Sequence, residues 1–223
     1  MFSYVFMKLL ESRPRSYDRR MDTVSGGRVR AIKQAVADQI PPGTRTLEIG
    51  CGTGELAALL CARGVTVEGF DRSPSMVEVA RERIEAEHLD GRFSVRETGI
   101  DGMDGLADKA FGAVVSTLIF SEITEDERHF ALTQARRALK PGGLLVIADE
   151  VVSRSSWHRL MHAMMRTPLV AATYLVSRAT THPIRDLRGE LMAAGFAIDR
   201  EERSHGDAFA MFVAHRPAEE EVG

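Results

Sequence analysis

Short apolar runs alternate along the chain with stretches of helical spacing. Residues 45–50, 65–71, 92–97, 111–120 and 144–151 read as strands, rich in aliphatic and β-branched side chains and bounded by turn residues. Between them, residues 55–63, 74–87 and 125–139 read as helices, and the punctuation agrees. Gly64 stops the first, Ser73 and Pro74 open the second, and Thr124 with Glu127 gives the third a capping-box start. The run over 144–151 is apolar along its whole length, as expected of a strand buried on both faces of a parallel sheet. Pro183 opens a last predicted helix that Gly195 closes, and residues 196–202 and 208–215 lie close enough to pair antiparallel.

This alternation predicts an α/β fold. The expected form is a Rossmann-like, seven-stranded, mostly parallel sheet with an antiparallel final strand and helices on both faces. One domain is expected, with a helical cap over 1–43, a ligand-binding core over 44–152 and a helical insertion over 153–182. The last helix and antiparallel strands follow over 183–216, with a tail at 217–223. Within the cap, helices are expected over 3–12 and about 22–39. The insertion carries Trp157, Leu160, Met161, Met164, Met165, Leu169, Val170, Tyr174 and Leu175 near helical spacing, and Pro168 divides it. It reads either as an apolar lid over the strand ends or as a fixed part of the core.

Composition narrows the class without naming the chemistry. The 223 residues are 44% apolar and 27% charged, which excludes a disordered or fibrous chain. Two cysteines, Cys51 and Cys61, exclude a disulfide scaffold and fit a reducing, cytoplasmic setting. A net charge of -3 argues against nucleic acid as a partner. Residues 1–46 are different, with nine basic residues against four acidic ones. That segment reads first as a solvated helix face, with attraction to an anionic acceptor or a membrane surface as the sharper alternative. No secretory signal is read at the start, and the apolar stretch 167–177 is too short to span a bilayer.

The string EIGCGTGE over 48–55 carries the most information. Glycines at 50, 52 and 54 stand between a strand and a helix, where they permit a tight turn and close approach of a ligand. A dinucleotide would place its pyrophosphate at that helix N-terminus. Here Glu48 and Glu55 flank the loop, so a phosphate would meet like charge, whereas a ligand with a cationic amino group would find a partner. Asp71 ends the second strand, where a carboxylate can accept hydrogen bonds from both ribose hydroxyls.

Three strings in order, LEIGCGTG, EGFDRSPSMVEVARER and LKPGGLLVIADE, closely resemble the class I methyltransferases that use S-adenosyl-L-methionine (SAM), of the methyltransferase-11/25 type. The resemblance covers roughly residues 44–215. It implies that Glu48, Gly50, Cys51, Gly52 and Gly54 form the methionine-side loop and that Asp71 holds the ribose, with Arg72 and Met76 beside it. It also places Gly99, Ile100, Asp101 and Thr117 against the cofactor. The family's adenine-binding acid after the third strand is Ile100 here, so either Asp101 substitutes or packing and backbone groups hold the base. The family's Phe-Asp at the fourth strand is Phe111–Gly112. The stretch YDRRMDTVSGGR from residue 17 is similar to the start of the ubiquinone/menaquinone-biosynthesis methyltransferases, which would set Tyr17 over the methionine end. FMKLLESRPRSYDRRM and TYLVSRATTHPI are similar to corrinoid protein-associated methyltransferases.

The resemblance implies in-line methyl transfer from SAM, with S-adenosylhomocysteine as product. The acceptor expected is a small, partly hydrophobic molecule, and the alternatives are a protein or corrinoid-protein acceptor or a non-catalytic SAM-binding protein. A base is needed only if the acceptor must lose a proton. Glu122, after the fourth strand, and Tyr17 are the catalytic candidates. Asp149 and Glu150 end the fifth strand, and one is expected to face the pocket because strand neighbours point oppositely. His158 and His162 share the i, i+4 spacing of a metal pair but lack a third ligand, so no metal is assigned.

Overall fold

The computed structural model describes residues 13–153, 184–204 and 206–218. Seven strands form one sheet in the order β3-β2-β1-β4-β5-β7-β6. They are β1 (Arg45–Ile49), β2 (Thr66–Asp71), β3 (Phe93–Glu97), β4 (Phe111–Thr117), β5 (Leu139–Glu150), β6 (Ala197–Ser204) and β7 (Phe209–His215). β1 pairs in parallel with β2 and β4, β2 with β3, and β4 with β5. β7 runs antiparallel to both β5 and β6. The expected fold class is therefore the observed one. The connection reverses direction at β1 and β4, and that switch point opens a crevice at their carboxyl ends.

Alternation along the central strands feeds two cores. Leu47, Ile49, Val114, Leu145 and Ile147 face one side, where they pack on α5 (Glu125–Ala138) and α6 (Leu187–Ala193). Val67, Ala113, Val115, Val146 and Ala148 face the other, against α2 (Arg28–Ala37), α3 (Glu55–Ala62) and Ala80 of α4 (Pro74–Ala86). Each side chain pointing opposite to its neighbour is the strand period of two.

Several boundaries move for local reasons. The helix expected over about 22–39 is two helices, α1 (Tyr17–Ser25) and α2, because Gly26 and Gly27 both take positive φ. β4 stops at Thr117 rather than 120, since Leu118 lies in the left-handed region at φ 60°. β5 begins five residues earlier than its apolar run, and Leu139 pairs with Phe111 across a register shift. The last helix starts at Leu187 with the Asp186 carboxylate accepting from Gly189 N at 2.8 Å, not at Pro183. The capping box of Thr124 and Glu127 is present. The helix expected over 3–12, the insertion with His158 and His162, and Pro183 lie outside the described residues. Among the described residues no helix is long and apolar enough to cross a membrane.

Asp149 fastens the sheet to the crevice. Fully buried at the end of β5, its carboxylate accepts from Phe120 N at 2.7 Å, Ser121 N at 3.3 Å and Glu150 N at 2.7 Å. It thus fixes the turn that follows Leu118, and neither Asp149 nor Glu150 lines the crevice. Asp149→Ala would strand those amides indoors. At roughly 1–3 kcal/mol for each orphaned donor, the variant is expected to lose about 3 kcal/mol in urea denaturation. An unchanged midpoint would show that the turn does not depend on this carboxylate.

Candidate functional site

The crevice is a cavity of about 620 Å³ at the carboxyl ends of β1, β2 and β4. Gly50, Cys51, Gly52 and Thr53 form its floor. Gly50, Gly52 and Gly54 have φ of 70°, 52° and 76°, which side chains rarely adopt. A Cβ on Gly50 would run into Ile119, and one on Gly54 would lie 2.7 Å from Phe93. Gly52 differs, because a Cβ there would meet nothing within 4 Å and would project into open space. Gly54 does not line the cavity; it starts α3 and packs against Phe93. Cys51 sits over Gly69, whose missing side chain makes its room, and burial pushes its thiol well above the ordinary range.

Two carboxylates mark opposite parts of the floor. Glu48 is 2% exposed, and its Oε2 has no hydrogen-bond partner. Burial pushes this carboxyl up to about 8, aided by the charge of Asp71 and opposed by that of Lys33. Asp71, at the end of β2, is held by backbone amides, accepting from Gly52 N at 2.9 Å and Ser73 N at 2.8 Å. Those two bonds aim both of its oxygens at fixed directions beside the cavity.

Glu55 behaves differently from the expectation. Lys33 Nζ lies 2.7 Å from its Oε2 and Arg30 3.4 Å from its Oε1. Burial works to raise its pKa, but Lys33 and Arg30 outweigh it and hold the carboxyl below the ordinary range. The charge of Glu55 is thus compensated within the protein and lies off the cavity wall, so it does not face a ligand as the sequence suggested.

The cap closes one end. Tyr17 and Val29 line the cavity and pack with Met21 and Leu118. Asp18 accepts from Thr53 Oγ1 at 2.7 Å and from the Arg83 guanidinium, while Arg83 Nε donates to Thr53 O at 2.9 Å. α1 is therefore pinned to the glycine loop and to α4 together. Arg72, Met76, Gly99, Ile100, Asp101 and Thr98 also line it, with Ile123 just before α5 and Phe130 within it. Glu122 lines the cavity, 11% exposed, with its Oε2 4.0 Å from Arg72. Thr117 lines it at the end of β4.

Every residue expected to bind the cofactor or act in catalysis lines this one cavity, apart from Gly54, whereas neither Asp149 nor Glu150 does. Sequence reasoning missed Lys33, Thr53, Thr98, Leu118 and Ile119. Lys33 carried a findable signal, as a lysine on the inward-facing side of the cap. Leu118 carried none, since its positive φ is set by the Asp149 clamp on the following turn.

Together the strands and the loop define an α/β protein with a cavity at the carboxyl ends of its parallel strands. Residues 46–143 match the methyltransferase domain family. The chain is 31% identical over 192 residues to the demethylmenaquinone methyltransferase of Thermus thermophilus, covering 78% of this chain and 83% of that one. It is 36% identical over 118 residues to methyltransferase GfsG of Streptomyces halstedii, covering 51% of this chain but 40% of that one. The chain thus spans well under half of that longer relative. In three dimensions it resembles the putative methyltransferase solved with the Trm112 activator of Haloferax volcanii, with a TM-score of 0.70 and 17% identity over 95% of this chain and 97% of that one. The chain belongs to the class I SAM-dependent methyltransferase family.

Because Glu48 binds its proton more tightly folded than unfolded, it stabilises the ligand-free fold fully below the usual carboxylate range. That contribution is lost as pH rises toward about 8. Stability measured by urea denaturation should therefore fall across this window in the natural protein and fall less steeply in Glu48→Gln. Identical slopes would mean that Glu48 is not held protonated.

Proposed function

We propose that this protein transfers the methyl group of SAM to a small, partly hydrophobic acceptor by in-line displacement. The observation that carries the reading is Glu48, a buried carboxyl on the cavity floor with an oxygen that has no hydrogen-bond partner among the described residues. A buried polar atom left without a partner is costly, and an ammonium on a ligand would satisfy it. Asp71 is placed to accept from a ribose diol, and Met76, Ile100, Ile123 and Phe130 offer apolar surface to a base. The open space at Gly52 leaves room for the chain between these ends. These residues therefore fit SAM.

When bound, SAM supplies the electrophilic methyl group. The protein's work is to bind, orient and exclude water. Glu48 would hold the amino-acid end of the cofactor and Asp71 its ribose, and the pinned cap sets Tyr17 and Val29 against the cavity beside Leu118. Tyr17 and Glu122 remain the candidates for contact with the reacting groups. Glu122 stands beside Arg72 at the end of β2, which favours a role toward the adenosyl half over proton removal from the acceptor. The apolar wall of Tyr17, Val29, Leu118 and Ile119 supports a hydrophobic acceptor, in keeping with the quinone precursor named for the Thermus relative.

Isothermal titration with S-adenosylhomocysteine, followed by an assay of its release from SAM with hydrophobic aromatic acceptors, tests this reading. Asp71→Ala is expected to weaken binding by about 1.5–3 kcal/mol, roughly tenfold to over a hundredfold, through loss of charge-assisted hydrogen bonds. Unchanged affinity in a folded variant would remove Asp71 from the site.

A further inference from the structure

The two oxygens of Asp149 serve different segments. Oδ1 accepts from Glu150 N at 2.7 Å, where β5 ends. Oδ2 accepts from Phe120 N at 2.7 Å and Ser121 N at 3.3 Å, and the Ser121 hydroxyl donates to the same carboxylate. Burial pushes this carboxyl up to about 6, so near pH 7.5 it is ionised and its bonds are charge-assisted. Yet the side chain is fully buried and takes no part in the cavity wall.

What it holds is the turn between β4 and α5. The sheet carries the chain as far as Leu118, whose N donates to Ala148 O at 3.0 Å. Beyond that point the amides of Phe120 and Ser121 have Asp149 as their acceptor. Phe120 and Ser121 stand outside the cavity, but Leu118, Ile119, Glu122 and Ile123 on either side of them line it. Leu118, at φ 60°, takes a conformation that a side chain keeps only where its surroundings impose it. Ile119 lies directly on the glycine loop and fills the place that a side chain on Gly50 would need. A chain of contacts thus runs from Asp149, through two backbone amides, to Ile119 and on to Gly50 in the cavity floor.

Resting on the SAM reading above, we infer that Asp149 is a positioning residue that sets cofactor affinity from outside the cavity, through the turn that bears on Gly50. With the carboxylate in place, Ile119 and the glycine loop are ordered before the ligand arrives. Without it, Ile119 is free to move off Gly50, and ordering the turn and loop together opposes binding.

Isothermal titration with S-adenosylhomocysteine at pH 7.5 tests this in Asp149→Asn, Ile119→Ala, the double variant and Leu191→Ala. Asparagine has the same shape as aspartate but one acceptor oxygen, so it cannot serve both segments. Asp149→Asn is expected to weaken binding about fivefold or more, although residue 149 does not line the cavity. Ile119→Ala should weaken it as well. The double variant should bind within about twofold of the weaker single one, because both changes break the same chain of contacts. Leu191, buried in the core under α6 and off the cavity wall, supplies the control. Leu191→Ala should lower the urea midpoint and leave affinity within about twofold of natural. Unchanged affinity in folded Asp149→Asn, or effects that multiply in the double variant, would overturn the assignment while the cofactor reading stands. An equal loss in Leu191→Ala would also overturn it, by reducing the effect to general stability. Should Asp149→Asn not fold, Ser121→Ala removes one of the carboxylate's bonds and takes its place in the cycle. About a twofold loss of affinity is then expected, and none would overturn the assignment. If the natural protein does not bind S-adenosylhomocysteine, the cofactor reading fails and this inference falls with it.

Discussion

A carboxyl group buried near the carboxyl end of β1, with one oxygen that has no hydrogen-bond partner among the described residues, is the constraint around which the site is arranged. Taking Glu48 out of water costs enough to push its pKa up to about 8. The fold accepts that cost where the sheet changes direction, a place where the backbone already leaves a crevice. Next to it, the glycine loop turns so sharply that three residues need positive φ. Gly50 and Gly54 use their lack of a side chain for packing, and Gly52 alone uses it to leave space. Glu48, Asp71 and that space fall on one floor because parallel strands end together at one edge of the sheet.

The same economy governs the cap. Asp18 receives bonds from Thr53 of the loop and from Arg83 of α4, so one side chain ties three segments. Next to Asp18 in sequence, Tyr17 faces the cavity, and one helix later Lys33 does so too. Moving the cap would change the charge seen by Glu48 as well as the cover over the cavity, because Lys33 is the cation that acts on it.

Much of this was legible in the sequence because it rests on local rules. Alternating apolar strands, the capping box at Thr124 and the glycine loop each follow from spacing and residue type, and their order gave the sheet. Glu48 and Asp71 were legible because they fall at or next to the ends of strands read at the expected places. What escaped depends on contacts distant in sequence. Glu55 looked like a second carboxylate facing the ligand, and only the packing of α2 on α3 shows Lys33 and Arg30 neutralising it. The short end of β4 reflects a turn held by Asp149, 29 residues further on. Of Asp149 and Glu150 one was expected to face the pocket, and neither does, because the sequence does not show that the turn's amides need an acceptor.

The central claim is that a protonated, buried Glu48 gives up its proton to receive the cofactor's ammonium. Titration of S-adenosylhomocysteine at pH 7 in two buffers of different ionisation enthalpy measures this directly. The account predicts release of about one proton per ligand bound, with affinity rising as pH climbs toward about 8. Tight binding with no buffer dependence and no rise in affinity would contradict it.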